Sequence, residues 1–225
     1  MPGMNAHAVS IAAVMLSWFV LGVLLVRARM RTRRGVAVGD DDARGGATRK
    51  RDLASWGGLA LQGVGFAIAF NAQRNAGAPL LPGAPPAVDW LFAALAAVLA
   101  AGSTLFAGWA LRTLDKQWSL TARIREDHVL VTWGPFARVR HPVYAALLGL
   151  LVATGMVLAD WRALLLAVVV YLVGTLWRAG REERLLRDSF GAAYEEYSAR
   201  VPRLLPRRTQ AKPSQTKPRQ ARPSP

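Results

Sequence analysis

The chain has 225 residues, 52% of them hydrophobic, with no cysteine and a formal net charge of +15. The lack of cysteine excludes disulfides and thiolate metal sites. The apolar residues stand in long blocks with the charges gathered between them, the pattern required by bilayer spans of about 20 apolar residues. The basic excess lies beside those blocks, where it sets topology and meets anionic head groups, so it points to membrane lipids as partners rather than to nucleic acid.

In chain order, the first apolar block (6–26) has no basic residue ahead of it and Arg27, Arg29, Arg31, Arg33 and Arg34 behind it. A cleaved signal peptide has the reverse arrangement, so the block reads as a retained helix with its N-terminus outside. The loop 27–52 contains Asp40, Asp41 and Asp42. A Gly-rich run does not hold metal ligands rigidly, so a flexible solvated loop is expected there and no metal. A second block covers 53–70. It is followed by a Gly/Pro-rich connector (71–86) whose basic residue is Arg74. The third block (87–111) is rich in alanine, which suits close helix packing in lipid.

The segment 112–141 is polar and carries Arg112, Lys116, Arg123, Arg125, Arg138 and Arg140. Blocks 143–158 and 162–177 follow, separated by Ala159, Asp160 and Trp161, which predicts a tight C-terminal helical hairpin with rather short arms. Residues 178–200 place Leu185, Leu186, Phe190, Tyr194 and Tyr197 at helical spacing among charges, the pattern of a cytoplasmic amphipathic helix. The tail after Pro206 is basic and polar and reads as disordered.

The Arg-rich segments are 27–52, 112–141 and the C-terminus, and they alternate with segments poor in basic residues. The positive-inside rule is then met by about five transmembrane helices, with the N-terminus outside and the C-terminus cytoplasmic. The predicted fold is an all-α integral membrane protein, multi-pass in the cell membrane. It divides into N-terminal transmembrane helices (1–111), a catalytic or binding region (112–206) and a disordered tail (207–225).

The hairpin returns 178–206 to the side of the membrane that holds 112–141. Gly134 and Pro135 read as a turn. Pro142 fits the first position of a helix, which puts Arg140 and His141 at its N-terminus, where free N–H groups and the helix dipole favour an anion. The alternative is that both residues anchor the helix to head groups. Arg178 and Glu182 are four apart on one helix face, the spacing of a salt bridge. Adjacent carboxylates at Glu182 and Glu183 beside a membrane are costly unless solvated or paired.

Together these residues resemble the isoprenylcysteine carboxyl methyltransferase and phospholipid methyltransferase group. The resemblance runs over Trp118-Ser119, His128-Val129-Leu130-Val131, Gly134-Pro135-Phe136 and Arg140-His141-Pro142-Val143-Tyr144. After the hairpin it continues through Arg178-x-x-x-Glu182-Glu183, Phe190-Gly191-x-x-Tyr194-x-x-Tyr197 and Arg200-Val201-Pro202-Arg203-Leu204-Leu205-Pro206. It covers about residues 110–206.

The resemblance implies S-adenosylmethionine as methyl donor and a lipophilic or lipidated acceptor, with the donor at the cytoplasmic membrane surface. By position, His128, Leu130, Val131 and Gly134 would line the adenosine pocket, partly through backbone groups. His141, Tyr144 and Glu182 would hold the ribose and methionine ends. Glu183 would neighbour these and is a catalytic candidate, and Arg178, the other catalytic candidate, would face the acceptor. A carboxylate acceptor needs no base. A lipid amine would need one, Glu183 or His141. Two other readings compete: an NADPH-dependent membrane reductase of the steroid or sterol type, and a non-enzymatic membrane scaffold.

Overall fold

The computed structural model describes residues 3–37, 53–72, 83, 85–115 and 130–206. Among them the fold is all-helical, with no sheet. Six α-helices run in the order α1 (Gly3–Ala37), α2 (Leu53–Asn71), α3 (Pro86–Leu114), α4 (Pro142–Leu158), α5 (Trp161–Phe190) and α6 (Ala192–Arg200), with a 3-10 turn at Gly134–Ala137 between α3 and α4. The Asp40–Asp42 run, most of the connector before α3, the residues from Lys116 to Val129 and the tail after Pro206 lie outside the described residues.

Among the described residues, three helices are long and apolar enough to cross a membrane: His7–Thr32, Ala87–Leu114 and Trp161–Phe190. Pro142–Leu158 is a shorter apolar helix. The expectation of five spans is therefore met outright for three of them. The arrangement of side chains is that of a lipid-facing protein. On α1, Ser10, Val14, Ser17 and Leu21 point inward while Leu16 and Phe19 are exposed. On α3, Ala96, Ala100, Ser103, Ala107 and Ala110 are buried while Val98 and Leu105 are 72% and 75% exposed. Small residues inside let backbones approach, and bulky apolar ones outside meet lipid.

Interhelical hydrogen bonds reinforce this packing. Trp18 Nε1 on α1 donates to Thr154 Oγ1 on α4 at 3.0 Å, and Thr104 Oγ1 on α3 donates to Ser17 O at 3.4 Å.

The α4–α5 connection is short because Asp160 caps α5: its carboxylate accepts from Arg162 N (2.9 Å) and Ala163 N (3.1 Å). The contacts between the two helices begin where Gly155 lies against Leu164. They continue where Tyr171 Oη donates to Tyr144 O (3.0 Å) and end at His141 and Glu183. Each helix nevertheless packs more extensively on another, α4 on α3 and α5 on α2. The sequence reading ends the last span near Trp177 and starts a separate amphipathic helix. Instead, α5 runs unbroken for 30 residues, and only Gly191, with φ +50°, ends it before α6. No proline or glycine pair interrupts 178–190, so the backbone has no local reason to stop at the polarity change.

The α2–α5 contact depends on glycine. A Cβ on Gly174 would stand 2.6 Å from Gly58 O and 2.8 Å from Leu61 Cβ, and one on Gly58 would stand 2.8 Å from Gly174 O. Backbone thus meets backbone at this crossing. A Cβ on Gly63, on the same helix as Gly58, would meet nothing within 4 Å. Gly174→Ala is expected to destabilise the detergent-solubilised protein by about 1–3 kcal/mol. Gly63→Ala should stay within about 0.5 kcal/mol of the parent or stabilise it slightly. Thermal unfolding of the two variants side by side checks this, and equal effects would refute the close crossing.

Candidate functional site

The polar residues singled out in the sequence converge where the start of α4 meets the later turns of α5. Gly134, with φ +63°, opens the 3-10 turn that redirects the chain after α3, and a Cβ there would press on Thr113 Oγ1 at 3.1 Å. His141 then stands at the N-cap of α4, with Pro142 at the first helical position. The chain returns to this point after α6. Pro202 ends that helix, and the strap 201–206 lies along the α4 entry. Arg140 N donates to Pro202 O (2.8 Å), His141 N donates to Arg203 O (3.0 Å), and Tyr197 Oη donates to Phe136 O (2.8 Å).

The anion expected at this helix N-terminus is supplied by the protein itself. Glu183 is 1% exposed. Arg203 Nε donates to its Oε1 (2.9 Å) and Oε2 (3.0 Å), and Arg203 Nη2 to Oε2 (2.7 Å). Arg140 Nη2 lies 3.3 Å from Oε1 and His141 Nε2 lies 3.2 Å from the same oxygen. Both oxygens of Glu183 therefore carry cationic donors, and these come from two other segments of chain.

Glu182 is placed differently. Its side chain is 24% exposed, Tyr144 Oη donates to its Oε1, and His141 Nδ1 is 3.5 Å from its Oε2. Arg178 Nη2 reaches Glu182 Oε1 only at 4.0 Å, the outer limit of an ion pair. The guanidinium lies over the Tyr144 ring, 5.3 Å from its centroid, and Nη1 donates to Gln62 Oε1 on α2 at 3.1 Å. Tyr144 and His141 stack, with ring centroids 5.4 Å apart and planes inclined by 13°.

The structure thus brings together Arg178, Glu182, Glu183, His141 and Tyr144. Leu130 is half-buried, and Val131 is buried against Ala110 and Phe136, so that Val131 and Gly134 sit against α3 rather than in the ionic cluster. The side chain of Val131 is used in packing. His128 lies outside the described residues.

Two participants were not singled out in the sequence. Arg203 sits within the quoted C-terminal pattern, but nothing local marks it as the main partner of Glu183. Gln62 is an amide in the middle of an apolar helix, and a polar group at membrane depth is itself a signal of function or interhelical contact.

Burial opposes a charge on His141, but its contacts to Glu182 and Glu183 outweigh burial and raise its pKa above the ordinary value. A raised folded-state pKa adds stability that is fully present below the unfolded value of about 6.5 and is lost as pH rises through the folded value. Thermal unfolding in detergent followed from about pH 6 upward should therefore show the parent losing stability as the imidazolium deprotonates. His141→Gln should show a flatter profile over the same interval, and parallel profiles would refute a charged His141.

Comparison with known proteins bears on the same residues. Positions 94–188 match the isoprenylcysteine carboxyl methyltransferase (ICMT) family. The chain is 34% identical over 87 residues to the protein-S-isoprenylcysteine O-methyltransferase of Schizosaccharomyces pombe, which covers 39% of this chain and 37% of that protein. It is 36% identical over 100 residues to protein-S-isoprenylcysteine O-methyltransferase B of Arabidopsis thaliana, covering 43% of this chain and 50% of that one. The alignments thus span half or less of the curated relatives' length. The matched segment contains Arg140, His141, Tyr144, Arg178, Glu182 and Glu183, and it excludes Gln62 on one side and Arg203 on the other. The resemblance carried by the motifs thus holds over the stretch that builds most of the ionic cluster: residues 94–188 match the isoprenylcysteine carboxyl methyltransferase family.

Proposed function

We propose that the protein is a membrane methyltransferase that uses S-adenosylmethionine to methylate the carboxylate of a lipophilic, isoprenylcysteine-like acceptor. The observation that carries this reading is the sign of the cluster. Two carboxylates, Glu182 and Glu183, stand among three guanidiniums, Arg140, Arg178 and Arg203, and His141, whose pKa is raised. The surplus is positive, and the exposed apolar faces of α1, α3 and α5 lie toward lipid. An anion with a hydrophobic tail fits that combination better than an amine does.

The residues suit the donor chemically. Glu182 is partly open and retains acceptor lone pairs for hydroxyl or ammonium groups. His141, whose two ring nitrogens face Glu183 and Glu182, holds Glu182 in place for the donor, and Leu130 and Val131 offer backbone groups beside apolar side chains for adenine. The donor supplies an electrophilic methyl group on a sulfonium. Arg178 orients the acceptor carboxylate by a charge-assisted contact. That carboxylate is already ionised, with a reference pKa near 3.5, so no residue has to remove a proton. Positioning of this kind is worth about 7–11 kcal/mol at best. Glu183 is assigned to holding His141, Arg140 and the 201–206 strap in place, since both of its oxygens are engaged.

For the membrane we propose five spans, with the N-terminus outside and the site on the cytoplasmic side. The 19 residues of α2 and the 17 of α4 measure about 28 and 26 Å at ~1.5 Å per residue, close to a ~30 Å hydrocarbon core if tilt is small. The α4–α5 hairpin then returns the chain to the cytoplasmic face.

Detergent-solubilised protein is expected to bind S-adenosylmethionine and not NADPH. Preference for NADPH would favour a reductase, and binding of neither would leave a scaffold. Glu182→Gln should weaken donor binding about 10- to 100-fold, the range of a hydrogen bond to a charged group. Arg178→Ala should lower methyl transfer about 10²-fold or more while donor binding persists. Full activity in both variants would overturn the site. Topology can be read without background because the chain has no cysteine. With an impermeant thiol reagent on intact cells, Asn71→Cys should label and Arg200→Cys should not.

A further inference from the structure

Gln62 is 4% exposed on α2, a helix that otherwise buries apolar and small residues against α5. Its amide is engaged at both ends. Nε2 donates to Thr175 Oγ1 at 2.8 Å, and Oε1 accepts from Arg178 Nη1 at 3.1 Å. An amide can flip, exchanging donor for acceptor. Here the Arg178 guanidinium, which has donors alone, requires the acceptor end, and the Thr175 hydroxyl, which can accept, anchors the donor end. The glycine crossing makes the reach possible, since a Cβ on Gly58 would stand 2.5 Å from Arg178 Cγ. The stem of Arg178 therefore lies against Gly58 and its head against Gln62, one helical turn further on.

We propose that Gln62, anchored by Thr175, is the positioning residue for Arg178, so that α2 sets how the guanidinium meets the acceptor carboxylate. This rests on the methyltransferase reading above and adds to it a part of the chain outside the residues matched by the family. The guanidinium is held at Nη1 by Gln62 and across its face by Tyr144, with Glu182 at the edge of ion-pair range of Nη2. Gln62 takes one of its five N–H donors and leaves its charge whole. A carboxylate at position 62 would neutralise that charge and compete directly with an anionic acceptor. A neutral amide is the group that fixes the geometry without that competition.

The test is steady-state methyl transfer to a short S-prenylated cysteine with a free carboxylate, using detergent-solubilised full-length protein, together with direct donor binding. Gln62→Met keeps the volume and removes the acceptor. It should raise the acceptor KM about tenfold, with donor affinity unchanged. Gln62→Glu should raise it further. Thr175→Val leaves Gln62 in place and removes the anchor of its Nε2. It should raise the acceptor KM by a smaller factor, and it carries the test if Gln62→Met fails to accumulate. The double variant should be no worse than Gln62→Met, because Thr175 acts through Gln62. Lowered thermal stability with an unchanged acceptor KM would make Gln62 interhelical glue and overturn the inference alone. Wild-type protein that binds no donor and transfers no methyl would overturn the functional reading and this inference with it.

Discussion

A buried carboxylate beside a membrane must find cations or it will not stay there. Glu183 is almost fully enclosed, and removing one partner from such a group is commonly worth 3–5 kcal/mol in other proteins. Its partners come from separate pieces of chain: Arg140 and His141 from the entry to α4, and Arg203 from the segment after α6. Satisfying one charge therefore draws three segments to one point. The backbone bonds from Arg140 and His141 to Pro202 and Arg203 follow from that convergence, since they pair peptide groups that the approach of the strap would otherwise strip of water.

The neighbouring carboxylate shows how one helix gives two adjacent residues different work. Glu182 and Glu183 differ by about 100° around α5. Glu183 turns into the cluster of cations, while Glu182 turns toward Tyr144 and Arg178 and keeps part of its surface open. Arg178, one turn earlier on the Glu182 face, is enclosed by Tyr144 from α4 and Gln62 from α2. The site is consequently built where three helices meet, and its rigidity depends on how closely α2 and α5 can approach. Gly58 and Gly174 permit that approach because neither carries a side chain to hold the backbones apart.

Much of this was legible from sequence because lipid imposes strict local rules. Apolar blocks and flanking arginines mark helices. Pro142 and Asp160 mark the start of α4 and α5, and the Arg178, Glu182 spacing marks one helix face. The break between span and amphipathic helix was misplaced, because polarity changes near Arg178 while the backbone continues to Gly191. The resemblance assigns Val131 and Gly134 to an adenosine pocket apart from the ionic residues, and the two pack on α3 beside the 3-10 turn. Adjacent motifs in a chain need not share a surface once a turn reverses direction.

By itself the sequence determined that this is a helical membrane protein whose polar equipment gathers in its C-terminal half. Hydrophobic periodicity, helix-start residues and charge placement are local quantities, so they can be read one window at a time. Only the tertiary structure decided which carboxylate is engaged by cations and which stays partly open, and that Arg203 and Gln62 belong to the cluster. Those outcomes depend on contacts between residues 20 to 116 positions apart. Contacts at that separation are set by helix packing and by the cost of leaving a buried charge unpaired, and neither is written in any single stretch of chain.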